Sequence, residues 1–399
     1  MPRTIEVAVI GGGYAGVGAA NRLAGRDDVA VTLINARPRF TERIRLHQLA
    51  AGTHDAVAEY RDILADGVRL VVGTVARIDA AGRALTLADG DTLGYDYLIY
   101  AVGSVGADPG VPGAAEFARP LTTLEEAHRL RADIWNTPVS APLVVVGGGL
   151  TGVETAAELA GQGRAVTLVC GGELAPSLHA TGRRAGARRL ERLGVRVLQG
   201  PGTAVTAVAS GRVRLGDGRE LPAAVTIWAA GFAAPDLAAR SGLRTDAAGR
   251  LVTDETLTCV DDPRIVATGD AAAPLARPYR MSCQAAMQVG PQAAETVLAR
   301  IRGTEPSPVT VWFAAQCISL GRDAGVVQLC RQDDTATRAY VGGRSGAALK
   351  ELVCRSTLWR LAGEARNAAR RAAGGATRQP RAPGGIGSRC AEPLPRAWE

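Results

Sequence analysis

Two glycine clusters about one domain apart constrain this chain more than any other feature. The first is VAVIGGGYAGVGAA, with Gly11, Gly13 and Gly16; the second is LVVVGGGLTGVETAA, with Gly147, Gly149 and Gly152. Each runs from an apolar, β-branched stretch through G-x-G-x-x-G into a small-residue segment, the pattern of a strand turning sharply into a helix. The first glycine permits the turn, the second lets backbone approach a pyrophosphate, and the third lets the helix pack on the strand. The helix N-terminus then offers N–H groups and a positive dipole end to the phosphates. Tyr14 and Ala15, and Leu150 and Thr151, fill the turns between second and third glycines and are grouped with them as cofactor-contacting positions. One such motif is weak evidence. Two in the same context imply two dinucleotides on one chain, with electron transfer between them.

Each motif is followed by an alternating, turn-rich stretch and a closing apolar strand that ends in glycine. These are YLIYAVG, with Ala101 and Gly103, and VTIWAAG, with Ala230 and Gly231. RIVATGDAA reads as a further strand that delivers Gly269 and Asp270 to the C-terminal end of a parallel sheet, where ligands of open α/β sheets bind. A helix over Met281 to Arg302 follows. The expected fold class is α/β, with two Rossmann-like dinucleotide-binding domains, the second inserted in the first, plus a small C-terminal region. The boundaries expected are 1–112 and 245–303 for the first domain, 113–244 for the second and 304–362 for the C-terminal region. A helical piece is expected over Ala347–Ala362. From 363 to 399 composition shifts to Ala, Gly, Pro and Arg, and a basic, disordered tail is expected because it buries too little apolar surface to offset ordering entropy.

The opening MPRTIEVAVIGGG enters a strand at once, leaving no room for a secretion signal, and no run of about 18 apolar residues could span a bilayer. Seven scattered cysteines without C-x-x-C indicate neither a zinc site nor a vicinal disulfide, and no metal is expected. The chain reads as cytoplasmic. Much of the net charge of +7 lies in the tail, and no nucleic-acid partner is expected. Leu349, Leu352, Val353, Trp359 and Leu361, with Arg355 and Arg360, form a loose apolar and basic stripe that leaves open a peripheral contact with an anionic membrane at the inner face of the cell. A homodimer is also left open. The basic residues are nearly all arginine, with Lys350 the visible exception, which is read as coding bias.

Together GGGYAG, YAVG, GGGLTGVE, WAAG and ATGDAA, in this order, resemble the two-dinucleotide flavoprotein reductases. More specifically the chain, over about residues 5 to 360, resembles the type II NADH dehydrogenases, single-subunit NADH:quinone oxidoreductases. The resemblance implies FAD at the first glycine motif, NAD(P)H at the second, and Asp270 at the flavin's ribityl and pyrophosphate region. It implies hydride transfer from NADH to flavin, then delivery of two electrons to an acceptor, a quinone, without proton pumping. Glu154 matches the glutamate of the family's GG-x-x-TG-x-E, and Gln284 and Gln288 match its paired glutamines on a helix facing the flavin and quinone pocket; these three are the catalytic candidates. CISLG with Arg322 resembles the region that helps form that pocket. The chain departs from the family at Phe40 to Gln48, where a Pro-Leu-Leu stretch is usual, and in lacking aromatic amphipathic helices at its C-terminus. Two alternatives stand beside this reading: a soluble reductase for a ferredoxin-like protein, which the arginine-rich surface would suit, and a non-catalytic flavin- and NADH-sensing protein.

Each residue also has a plainer reading. A carboxylate usually follows the second strand to bond a ribose hydroxyl, yet Asn35 and Cys170 stand there. Asn35 can still bond a ribose of FAD. Cys170 cannot, which leaves Glu173, or arginines such as Arg183 and Arg184, to separate NADH from NADPH; Glu173 is equally a solvated loop carboxylate. Gly171-Gly172 offers no arginine to a 2′-phosphate, which favours NADH. Glu154 in a first helical turn is stabilised by the dipole in any protein, Asp270 could be a helix cap, and Gln284 and Gln288 could be surface amides at i, i+4. His47 and Cys283 are read as structural.

Overall fold

The computed structural model describes residues 3–275 and 279–376. β-Branched runs such as IEVAVI and VAVTLIN are buried along nearly their whole length, the pattern of strands covered on both faces. The first sheet is parallel throughout, in the order Ile265–Ala267, Tyr97–Tyr100, Ile5–Ile10, Val29–Asn35, Val68–Val72. The second sheet repeats it, in the order Ala118–Pro120, Val225–Trp228, Leu143–Val146, Val166–Val169, Arg196–Leu198, again all parallel. In both, the strand that enters the glycine turn is central, flanked by the closing strand and the second strand of its unit.

The repeat extends to detail. Each sheet is accompanied by a three-stranded antiparallel meander, and both meanders shift register at the same place, between Val75 and Arg77 and between Val205 and Ala207. The segments leaving the two closing strands pair with each other: Val105–Gly106 lies antiparallel to Phe232–Ala233. The mixed α/β class with two parallel sheets expected from the sequence is therefore found. The edge strand Ile265–Ala267 belongs to the first sheet although the whole second sheet precedes it in the chain.

Behind the first glycine turn, helix Tyr14–Leu23 packs on helix Cys283–Ile301 at very short range. A Cβ at Gly290 would collide with the carbonyl oxygen of Ala15, and one at Gly18 would press on Pro291. The C-terminal region is a three-stranded antiparallel sheet, Ala315–Ser319, Gly325–Cys330 and Ala336–Gly342, followed by the helix Gly343–Ala376.

That helix corrects the sequence expectation, which ended it at Ala362 and placed a disordered tail from Gly363. Alanine, arginine and glutamate are strong helix formers, and one face still finds apolar partners: Leu361 and Ala368 are buried. Arg371 Nη2 donates to the carbonyl oxygen of Asn21 (2.9 Å), with those of Ala24 (3.4 Å) and Arg22 (3.5 Å) nearby, so it caps the C-terminus of the first glycine helix. Residues 377–399 of the expected tail lie outside the described residues.

Glu364, on the same stretch, is held above the usual carboxylate range by burial, against the pull of Arg360, Arg22 and Arg371, and its Oε2 has no partner. A carboxyl raised in the folded state favours folding while protonated and loses that contribution as pH rises through its folded value. Glu364→Gln should therefore melt at a higher temperature than the wild type, by a margin that widens between about pH 5 and pH 8. Arg371→Ala should cost roughly 0.5–1 kcal/mol by removing the helix cap, read as a lower melting temperature.

Candidate functional site

At the first turn Gly11 has φ +101°, and a Cβ there would strike the carbonyl oxygen of Ala101; one at Gly16 would strike that of Gly11. At the second, Gly147 has φ +129°, its Cβ would lie 2.7 Å from the carbonyl oxygen of Ala229, and a Cβ at Gly152 would strike that of Gly147. The two cradles make the same carbonyl contacts at their first and third glycines. Gly13 and Gly149, the caps of the two helices, have nothing within 4 Å of a would-be Cβ, and no side chain caps either helix. Each helix N-terminus thus faces open space with its N–H groups free, as a pyrophosphate requires.

The cradles differ in what braces them. In the first, Gly12 N–H donates to Asn35 Oδ1 (2.9 Å), Asn35 Nδ2 donates to the carbonyl of Arg37 (2.9 Å), and Tyr60 Oη donates to the carbonyl of Gly12 (2.8 Å). Asn35, expected to reach a ribose, is engaged with the glycine loop itself. In the second, the chain folds back on the loop: a Cβ at Gly148 would lie 2.8 Å from Cys170 Cβ and 2.7 Å from the carbonyl oxygen of Glu173. The Glu173 carboxylate pairs with Arg183, so two of the three candidates for separating NADH from NADPH hold each other. Ala230 accepts from Trp228 Nε1 (3.0 Å) and Gly231, at φ +81°, accepts from Ala107 N–H (3.3 Å), which sets the closing turn beside the second cradle.

Asp270 lies beside the first cradle. Gly269, at φ +67°, brings the turn against Ala15, where a Cβ would be 2.9 Å from Ala15 Cβ. Asp270 does not cap the long helix that follows; Ser282 does, accepting from Ala285 N–H (3.2 Å). Instead Asp270 Oδ2 accepts from Ser104 Oγ (2.7 Å), just beyond Gly103, and the Ser104 carbonyl accepts from Arg43 Nη1 (2.6 Å). Arg43, overlooked in the sequence reading, supplies a half-buried cation to this cradle. The orphaned buried hydroxyl of Thr268 and the open face of Gly13 fit a bulky, polar, anionic group such as FAD.

Glu154 is the centre of a second cluster. It is 7% exposed, not a solvated first-turn carboxylate. Its Oε1 accepts from Ser319 N–H (2.9 Å) and lies 3.1 Å from Lys350 Nζ; His47 Nδ1 is 3.9 Å from Oε2, and His47 Nε2 is 3.2 Å from Ser319 Oγ. Burial pushes the Glu154 carboxyl up, but Lys350, His47 and the Ser319 N–H together outweigh it and hold the group below its usual range. Lys350 resists its own burial through Glu154 and is raised, whereas burial pushes His47 down to about 4, leaving it neutral at neutral pH. Burial pushes the thiol of Cys283, first residue of the glutamine-bearing helix, up, with Asp270 and Glu154 adding to the rise and Lys350 and Arg280 opposing it.

Lys350 was read otherwise from the sequence. Lys350 is the only lysine among the 46 Lys and Arg residues, and coding bias explains the arginines but not a single lysine kept at a buried ion pair; that exception was the available signal. The departure at Phe40–Gln48 supplies both His47 and Arg45, which is 2% exposed and pairs with Glu42 (3.2 Å) and Glu351 (2.9 Å), tying the C-terminal helix to this segment.

Gln284 and Gln288 also depart from expectation. Gln288 Nε2 donates to the carbonyl of Trp312 (2.9 Å) and its Oε1 accepts from Trp312 N–H (3.2 Å); Gln292 does the same with Thr310 (3.0 and 2.8 Å). Gln284, in the amide orientation that satisfies both atoms, donates to the Ala315 carbonyl and accepts from Ala314 N–H, each at 3.0 Å. Four helical residues rise about 6 Å and two extended residues about 6.6 Å, so amides at i, i+4 and i+8 match alternate residues of an extended chain. All three zip the segment before strand Ala315–Ser319 onto the helix, and the terminal amides of Gln284 and Gln288 are engaged there. Among the described residues no cluster of His, Cys, Asp or Glu could hold a metal, and no helix is long and apolar enough to cross a membrane.

Comparison with known proteins agrees with this geometry. Residues 5–290 match the pyridine nucleotide-disulphide oxidoreductase family. An NADH dehydrogenase-like protein of Mycobacterium tuberculosis is 34% identical over 297 residues, covering 67% of this chain and 73% of that one. The type II NADH:quinone oxidoreductase Ndh of the same organism is 28% identical over 354 residues (77% and 75%), and a probable ferredoxin reductase of Castellaniella defragrans is 31% identical over 333 residues (77% and 78%). Among solved structures, NDH2 from Plasmodium falciparum in complex with NADH superposes with a TM-score of 0.76 at 16% identity, covering 92% of this chain and 97% of that one, a likeness of fold. With its duplicated glycine cradles and these relatives, the chain belongs to the pyridine nucleotide-disulphide oxidoreductase family, on its NADH dehydrogenase-like side, and is an oxidoreductase that uses FAD and NAD(P)H.

Proposed function

We propose that this protein is an NADH:quinone oxidoreductase: hydride passes from NADH at the second cradle to FAD at the first, and two electrons then go to a quinone. Bound FAD supplies the chemistry of accepting a hydride and releasing an electron pair. The chain's residues do the rest. The N-termini behind Gly13 and Gly149 would hold the two pyrophosphates, and Asp270, with Ser104 and Arg43 behind it, would hold the sugar-alcohol region of the flavin cofactor.

The observation that carries the quinone reading is the buried Glu154–Lys350 pair. A quinone takes up protons as well as electrons, and a lysine ammonium can release a proton where an arginine cannot. The pair therefore holds a proton at Lys350 Nζ next to the place where an acceptor oxygen becomes basic. The exposed side of the C-terminal helix presents Leu352 and Trp359, 49% and 59% exposed, between Arg355, Arg360, Arg366 and Arg370. We assign this side to an anionic membrane surface, the source of a lipid-soluble quinone.

The similarity to a probable ferredoxin reductase supports a second acceptor class, and one assay separates them. Purified protein should be bleached anaerobically by NADH and reoxidised by a soluble quinone analogue; turnover only with an iron–sulfur protein would replace the quinone reading. Lys350→Arg should lower quinone-dependent kcat by about 100-fold while NADH still bleaches the flavin. Glu173→Gln should release Arg183 toward a 2′-phosphate and move the NADH:NADPH ratio of kcat/KM about tenfold toward NADPH.

A further inference from the structure

Next in sequence to Lys350 stands Glu351, and a buried arginine grips it with both arms. Arg45 donates from Nη1 to Glu351 Oε2 (2.9 Å) and from Nη2 to Oε1 (3.0 Å). Its remaining donors are engaged within its own segment, Nε with Glu42 Oε2 (3.2 Å) and Nη1 with Gln48 Oε1 (3.1 Å). Arg355 Nε, one turn along the C-terminal helix, also donates to Glu351 Oε1 (2.9 Å). Because Glu351 follows Lys350 directly, whatever fixes Glu351 also fixes where the Lys350 side chain leaves the helix.

The segment that carries Arg45 reaches the pair a second time. Two residues on, His47 lies 3.9 Å from Glu154 Oε2 through Nδ1 and 3.2 Å from Ser319 Oγ through Nε2. One stretch, Glu42 to Gln48, thus borders the carboxylate through His47 and holds the lysine's helix through Arg45. Lys350 Nζ has only two contacts of its own, Glu154 Oε1 at 3.1 Å and the Cys317 carbonyl, to which it donates at a long 3.4 Å. An ammonium on a flexible stem is easily displaced, whereas a bidentate guanidinium–carboxylate pair fixes both distance and angle. We propose that Arg45 is a positioning residue for quinone reduction: through Glu351 it sets the place of Lys350 Nζ against Glu154, and so against the acceptor oxygen. The proposal rests on the quinone reading above.

Reducing a quinone to its quinol takes two electrons and two protons. The hydride of NADH brings both electrons and one proton; the second proton comes from Lys350, where an N–H bond breaks as an O–H bond forms on the quinone oxygen. The amine left behind takes a proton from water, which the pair reaches directly, its side chains being 12% and 10% exposed. Arg45 cannot give a proton itself, since a guanidinium stays charged, so it acts only through the lysine's place. The clamp does not titrate in the working range: hydrogen bonds from Arg45 and then Arg355 hold the Glu351 carboxyl down to about 2, against its partial burial. Misplacing a reacting group by about 1 Å costs up to about 100-fold in rate, which is the scale on which such a clamp matters.

The test is rapid mixing of the FAD-loaded protein in two half-reactions, bleaching by NADH and reoxidation by a soluble quinone. Arg45→Lys keeps a charge beside Glu42 but loses the fork. Reoxidation should slow by about 10- to 100-fold, and steady-state kcat should fall with it, while the bleaching rate and kcat/KM for NADH stay at wild-type values. Glu351→Gln, at the more exposed end of the clamp, should act in the same direction by a smaller factor, and it carries the test should Arg45→Lys fail to retain FAD. In a Lys350→Arg background, where position 350 releases no proton, Arg45→Lys should slow reoxidation no further. Wild-type reoxidation in the clamp variants, equal slowing of both half-reactions, or further slowing of the Lys350→Arg background overturns the positioning role. A wild-type protein that NADH bleaches but no quinone reoxidises overturns the quinone reading instead.

Discussion

Backbone touching backbone at four glycines is the constraint from which the rest follows. Gly16 lies against the carbonyl of Gly11 and Gly152 against that of Gly147, while Gly11 and Gly147 lie against the carbonyls of Ala101 and Ala229. Any side chain at these points would push the helix off the turn or the closing strand off the sheet. The contacts therefore fix where two helix N-termini point, and so where two pyrophosphates can sit. They also fix the exits of the closing strands, whose next residues pair across the molecule at Val105–Gly106 and Phe232–Ala233.

A second constraint is electrostatic and lies between the cradles. Glu154 belongs to the second glycine helix and Lys350 to the C-terminal helix, with Ser319 and His47 completing the contacts. Removing either member of a buried pair strands a charge, at a cost of about 3–5 kcal/mol, so the pair also fastens the C-terminal helix. Arg45 with Glu42 and Glu351 fastens it again one residue further along. The same helix then runs on to cap the first glycine helix through Arg371. One element thus meets the Glu154 cluster near its start and the back of the first cradle at its end.

The parts of this design that repeat locally were legible in the sequence. Strand, glycine turn and helix are encoded in consecutive residues, so the cradles, the closing turns at Ala101–Gly103 and Ala230–Gly231, and the strand carrying Asp270 could be read directly. Contacts between distant segments could not. Arg43 meets Ser104, Lys350 meets Glu154 and Gln284 meets Ala315 only through tertiary folding, and none leaves a periodic trace. The helix beyond Gly363 was missed because its stabilisation comes from burying Leu361 and Ala368 against other elements, which composition does not disclose. Lys350 was a partial exception: its rarity was visible, its burial was not.

The two loops are braced differently, and on the proposed function the difference suits a resident ligand at the first and a passing one at the second. The first loop is braced by side chains, Asn35 on the Gly12 N–H and Tyr60 on the Gly12 carbonyl, so its shape is set before any ligand arrives. At the matching place the second loop has Cys170, whose thiol is pushed up to about 11 by burial and offers no comparable acceptor. Its bracing comes from backbone, with Ala175 N–H on the Gly148 carbonyl at 2.7 Å. A loop preorganised by side chains lowers the ordering cost of binding and favours retention. A loop with fewer such braces gives up more on binding and releases its ligand more readily, the behaviour wanted of a cofactor that must leave after each hydride.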